Sequence, residues 1–170
     1  MAASRANEDA AMERRTRVER ASDRELVVRR VFDAPARIVF AAWTTPALLM
    51  RWWAPKSSGV SLVSCEADVR AGGRYRFVFG RDGAESMAFV GQYLEATPPS
   101  RLAWTNEESA DGAVTTVTFE ERDGKTLLTL REVYPTKEAL DRALAGMEDG
   151  MPEQFAQLDA LLGALGPTLR

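Results

Sequence analysis

The sequence predicts an α+β domain in which one curved antiparallel sheet of about seven strands wraps around a long C-terminal helix. Three observations predict it. From Thr136 to Gly163, Leu140, Leu144, Met147, Met151, Phe155, Leu158 and Leu162 recur at steps of three or four, which makes one apolar stripe on a long helix. Short β-rich runs fill Val60 to Tyr134, separated by Gly72-Gly73, Asp82-Gly83, Pro98-Pro99, Asp111-Gly112 and Asp123-Gly124 at intervals suited to successive hairpins. No long helical pattern interrupts those runs, which removes parallel crossovers and leaves antiparallel pairing.

Composition narrows the function classes. The 170 residues suit one domain, and an apolar share of 45% is ordinary for a globule with a real core. The 22 Lys and Arg are scattered among 25 Asp and Glu, for a net charge of −3, so no concentrated basic face points to nucleic acid. One cysteine cannot form an internal disulfide. No apolar run reaches about 18 residues and the N-terminus lacks the apolar region of a secretion signal, so the expectation is a cytoplasmic protein with no membrane partner.

Histidine is absent, which excludes a Ser-His-Asp or Cys-His arrangement and His-containing zinc sites. Any catalysis would have to use carboxylates, Lys, Tyr or positioned water. No catalytic residue, metal ligand or cofactor is assigned from the residues.

Taken in order, Met1 to Ser22 lacks the large apolar residues that would dock on a core and reads as a mobile tail. Glu25 to Phe32, ELVVRRVF, is the first strand. Ala34-Pro35 and Thr45-Pro46 each start a short helix, the first carrying Ile38, Val39, Phe40 and Trp43, the second Leu48, Leu49 and Trp52. Two such short helices must lean on the sheet, which gives Trp43, Trp52 and Trp53 a structural role; the same tryptophans can also close the end of a ligand cavity.

The runs that follow are Val60 to Val69, Arg74 to Phe79, Met87 to Ala96, Arg101 to Thr105, Ala113 to Glu121 and Thr126 to Tyr134. Alternation puts Tyr75, Phe77 and Phe79 on the face toward the long helix, with Leu102, Trp104, Val117, Phe119, Leu128 and Leu130. The run from Met87 cannot be sorted, because both parities are apolar. A tight two-residue turn at Asp82-Gly83 would place Val90 and Leu94 inside and leave Phe89 and Tyr93 outside, where exposed aromatics mark a homodimer surface.

Extending the period of Leu128 and Leu130 puts Glu132 on the concave side. There a carboxylate must find donors or take up a proton, so it is the candidate polar anchor of a cavity; alternatively the strand ends there and the side chain reaches solvent. Cys65 shares parity with Val63, Ala67 and Val69, which reads as inert core rather than a reactive thiol. Pro152 falls inside the long helix, and a bend is expected near Gly150.

The order strand, two short helices, six strands and a long helix is the helix-grip arrangement. The stretches FDAPARIVFAAWTTPALLMRWWAP, EADVRAGGRYRFVF, VGQYLEATPPSRLAWT and AGMEDGMPEQFAQLDALL resemble the single-domain bacterial branch of the START/Bet v 1-like (SRPBCC) superfamily. Within it they are similar to the group named after the C-terminal domain of the Hsp90 ATPase activator Aha1. The expected limits are a tail over 1–22, the helix-grip domain over 23–165 and a C-terminal tail over 166–170.

The resemblance implies a hydrophobic cavity between helix and sheet and carries over no catalytic residues, since the matched motifs are structural. The expected lining is Tyr75, Phe77, Phe79, Trp104, Phe119, Leu128, Leu130, Glu132, Met147, Met151 and Phe155, closed at one end by Trp43, Trp52 and Trp53. Three function classes follow. The first is non-enzymatic binding of a small hydrophobic molecule, aromatic or polyketide-like, which is the expected partner. The second is a polyketide cyclase or aromatase, and the third a co-chaperone that stimulates the Hsp90 ATPase.

Overall fold

In the computed structural model of the chain, residues 5, 15–82, 84–107 and 109–165 are described, 148 and 149 by their backbone alone. The strands are β1 (Arg17–Arg20), β2 (Glu25–Phe32), β3 (Ser61–Ala67), β4 (Arg74–Arg81), β5 (Ala84–Thr97), β6 (Arg101–Thr105), β7 (Val114–Arg122) and β8 (Lys125–Val133). Helices α1 (Ala36–Thr44) and α2 (Pro46–Trp52) follow β2, and α3 (Lys137–Leu165) follows β8. All eight strands form one sheet in the order β1-β2-β8-β7-β6-β5-β4-β3, and every neighbouring pair is antiparallel. This is the helix-grip fold.

The helix ends follow local chemistry. Thr136 caps α3 by accepting the Ala139 N–H on its hydroxyl at 3.0 Å. The first turn of α1 is capped from a distance: the Ala36 N–H donates to Glu121 Oε1 on β7 at 2.7 Å, which ties the short helix to the sheet it covers. Helix α3 continues two residues beyond Gly163 and runs unbroken past Pro152. Residues 166–170, expected as a tail, lie outside the described residues.

The N-terminal boundary differs from expectation. Arg17–Arg20 is not tail but an edge strand paired with Leu26 to Arg29. Val18 packs on the core, and Arg20 reaches across to Asp141 of α3 at 2.7 Å. Charges alternate around a single valine in RVER, a pattern suited to an edge strand but too short to stand out in a polar segment. Of the expected tail, residues 1–4 and 6–14 lie outside the described residues.

The face assignment of β5 is also corrected. The hairpin is tight, with Arg81 opposite Ala84, and Gly80 opposes Glu85, but Phe79 then opposes Met87. Ser86 is an extra residue, a β-bulge, and a slip of one residue exchanges the two faces of everything that follows. Tyr93 is consequently 3% exposed and Phe89 packs against the core, while Leu94, of the opposite parity, stands out at 49%. Phe89 and Tyr93 therefore form no outer surface, and the basis for a homodimer contact there is gone. A bulge at Val63 likewise breaks the parity read for β3, exposing Val63 while Cys65 stays against the core.

The core has two compartments. Under the C-terminal half of α3, side chains meet and fill the space: Phe155 packs on Phe32 with ring centroids 5.7 Å apart, and Phe119 on Phe40 at 5.3 Å. Leu128, Leu158 and Trp52 are fully buried there. Over β4, β5 and β6 the N-terminal half of the helix leaves room.

Candidate functional site

A cavity of about 590 Å³ occupies that room, within the size range of ligand sites. Strand alternation supplies one wall: Tyr75 and Phe77 from β4, Phe89 and Tyr93 from β5, Trp104 from β6, Thr115 from β7, Leu130 and Glu132 from β8. Trp43 of α1, Leu49 of α2, Trp53 and Pro55 close one end. The opposite wall is α3, which presents Ala139, Ala143, Gly146, Met147, Gly150, Met151 and Gln154.

Small residues on the helix create the volume. Ala139, Ala143, Gly146 and Gly150 step by four, three and four along one side of α3. A Cβ added at Gly146 or Gly150 would meet nothing within 4 Å. Gly91 serves the opposite purpose, since a Cβ there would lie 2.0 Å from the Thr105 carbonyl oxygen and 2.6 Å from the Tyr75 hydroxyl. Its absence lets the Tyr75 ring lie over the strand and donate to that same carbonyl at 2.7 Å.

The polar groups of the wall are few and connected. Tyr134 O–H donates to Glu132 Oε2 at 2.9 Å and lies 3.8 Å from Met147 Sδ. Glu132 is 7% exposed, so its side chain is buried and does not reach solvent at a strand end. Asn106 donates through Nδ2 to the Ala113 carbonyl at 2.7 Å and to Thr115 Oγ1 at 2.9 Å. At the rim, exposed Arg142 of α3 pairs with exposed Asp111 of the β6–β7 loop at 2.5 Å. Gln154 holds the far end by donating to the Trp53 carbonyl at 2.7 Å.

Burial, with a smaller contribution from the neighbouring Cys65, pushes the Tyr93 phenol above its ordinary range. Burial, and secondarily the charge of Glu66, raises the Cys65 thiol to about 11, which keeps it protonated and unreactive near neutrality. Among the described residues no group of three or more His, Cys, Asp and Glu could hold a metal ion.

Of the residues expected at the site, Tyr75, Phe77, Trp104, Leu130, Glu132, Met147 and Met151 line the cavity, with Trp43 and Trp53 at its end. Phe79, Phe119, Leu128 and Phe155 do not; they belong to the packed core. Nor does Trp52, which is fully buried and donates its indole N–H to the Ala42 carbonyl at 3.0 Å. Sequence reasoning missed Phe89 and Tyr93, hidden by the Ser86 bulge, and Tyr134, which lies just beyond the strand. The spacing of Ala139, Ala143, Gly146 and Gly150 is the sequence signal that marks the helix wall.

Fold and site together define a helix-grip domain with an open interior between sheet and C-terminal helix. The model of the activator of Hsp90 ATPase homolog 1-like family matches residues 33–163, and the chain belongs to that family. A solved structure of a Rhodobacter sphaeroides protein is 29% identical with a TM-score of 0.82, covering 88% of this chain and 99% of its own. One from Mycobacterium smegmatis is 28% identical with a TM-score of 0.73, covering 88% and 98%. The AHSA1-like protein from Aeromonas hydrophila, 21% identical with a TM-score of 0.69 over 84% and 94%, shares the fold. No curated protein matches the chain. The family fold fits ligand binding or an Aha1-like role in general terms. No helix among the described residues is long and apolar enough to cross a membrane.

Proposed function

We propose that the protein binds and carries a small hydrophobic molecule, aromatic or polyketide-like, in the cavity between the sheet and α3. The observation that carries this reading is the cavity itself: about 590 Å³, walled by aromatic rings and by the small face of a helix on which a Cβ would meet open space. Flat rings and the flexible thioethers of Met147 and Met151 suit a planar apolar guest and adapt to its outline. A cavity kept open by two helix glycines forgoes helix propensity and packing, which a bound ligand offsets.

The test is titration with two uncharged ring molecules, 2-naphthol and N-phenyl-1-naphthylamine, followed by tryptophan fluorescence, amide chemical shifts and thermal melting. A ligand at about a hundred times its Kd adds about 2.7 kcal/mol, or about 5–10 °C in Tm for a domain of this size. Absence of any shift at Tyr75, Trp104 or Met147 with millimolar probe, together with an unchanged Tm, overturns the reading.

One observation favours a second reading, a cyclase-type enzyme: the Glu132–Tyr134 pair places a carboxylate and a phenol on the wall of a largely apolar site. Turnover lost in Glu132→Gln with ligand binding retained would support it. The family description supports an Hsp90-directed role as a third, and stimulation of an Hsp90 ATPase by the purified chain tests it.

A further inference from the structure

Six of the cavity's rings form a closed circuit. Trp53 neighbours Trp43 at 5.6 Å between centroids, Trp43 neighbours Trp104 at 6.0 Å, and Trp104 neighbours Tyr93 at 6.5 Å. Tyr93 neighbours Tyr75 at 5.7 Å, Tyr75 neighbours Phe77 at 5.1 Å, and Phe77 returns to Trp53 at 5.4 Å. All six line the cavity.

Beside that circuit lies a carboxylate. Tyr93, Trp104, Thr115 and Glu132 are successive cross-strand partners on β5, β6, β7 and β8, one row across the concave face. Adjacent strands are about 4.8 Å apart, so Glu132 stands two strands, about 10 Å, from Trp104 with only the small Thr115 between them. Glu132 is almost wholly enclosed and accepts the Tyr134 hydroxyl on Oε2 at 2.9 Å. The described ionisable lining apart from tyrosines is Glu132, Asp111 and Arg142, and the last two pair with each other at the rim.

Aromatic faces carry negative potential and attract organic cations, and a carboxylate walled off from water accepts ammonium donors more strongly than it does in solution. From the circuit and the row together we infer that the cavity selects a ring molecule bearing a protonated amine, its ring on the aromatic circuit and its ammonium donating to Glu132. This rests on the cavity being a ligand site and adds the charge class of the ligand. An anionic guest is excluded by the same carboxylate.

Three matched probes test it on the full chain at neutral pH by isothermal titration: 2-naphthylmethylammonium, 2-naphthalenemethanol and 2-naphthoate. The amine is expected to bind about tenfold more tightly than the alcohol, and the acid most weakly. Glu132→Gln should bring the amine down to the level of the alcohol while changing the alcohol less than about twofold. Asp111→Asn at the rim should leave the preference intact. Should Glu132→Gln not fold, the wild-type protein still decides, because the amine must move the amide signals of Thr115 and Glu132 beyond those of Asp111 and Arg142. An alcohol or naphthoate that binds as tightly as the amine overturns the inference while leaving the cavity a ligand site, as does a preference that survives Glu132→Gln or vanishes with Asp111→Asn. If none of the three binds, both readings fall.

Discussion

Phe155 and Met151 sit one turn apart on α3, and the structure assigns them to different compartments. Phe155 is fully buried, edge-on to Phe32 at 5.7 Å and to Trp43 at 6.1 Å, and it does not touch the cavity. Truncating it leaves a void among side chains held on all sides. Phe155→Ala should therefore cost about 3–5 kcal/mol, which at about 2–4 °C per kcal/mol for a domain of this size is a Tm lower by about 6–20 °C. Met151 is 9% exposed and forms part of the cavity wall, so one side of it already faces open space. Met151→Ala enlarges an existing cavity and forfeits contacts on its packed side only, for about 1–2 kcal/mol, the low end of buried truncations or below it. Urea unfolding of both variants by circular dichroism, with the slope checked against the wild type, measures the difference. Equal losses at the two positions would mean that Met151 is as tightly enclosed as Phe155, and the two-compartment description of the interior would be refuted.

Gly91→Ala should destabilise the fold by at least about 2–3 kcal/mol, because the new methyl would lie 2.0 Å from the Thr105 carbonyl, a backbone atom that cannot rotate away; a melting point within 2 °C of wild type, on the order of a 1 kcal/mol effect, would contradict this. Gly146→Ala should instead stabilise by about 0.5–1 kcal/mol, since the position is helical and a Cβ meets nothing within 4 Å, and a loss of stability in urea would show that the site is not open. Alkaline pH should weaken the fold. The Cys65 thiol rises from 9.0 to about 11 and the Tyr93 phenol moves up from 10.0, so both favour their neutral forms when folded. Their stabilisation is complete below the unfolded values and is lost as pH rises through the folded ones, beginning near 9 and continuing past 11. Unfolding free energies measured at pH 7, 9 and 10.5 should fall in that order, and Tyr93→Phe should flatten the decline.

The element order, the antiparallel sheet and the apolar stripe of α3 were all legible in the sequence, because each rests on periodicity or turn chemistry acting over a few residues. Asp123-Gly124 makes the tight turn its residues predict, with both φ angles positive. Parity placed Glu132 on the concave face, and the Leu128 and Leu130 period that carried the argument continues to it unbroken. Tertiary structure decided what local rules could not reach. A single unpaired residue, Ser86, turned Phe89 and Tyr93 inward, and nothing in a run apolar at both parities announces a bulge. Arg17–Arg20 becomes a strand through its partners, which lie on β2 and α3, not within itself. Arg30 is buried because Asp159 at 3.6 Å and the Thr16 hydroxyl at 3.2 Å come to it from distant parts of the chain. Which aromatics fill the core and which face the cavity depended on where α3 leans. The apolar pattern makes Phe119, Phe155 and Trp104 equivalent, whereas in the fold Phe40 of α1 packs on Phe119 and Phe32 of β2 on Phe155, and Trp104 stays on the cavity wall.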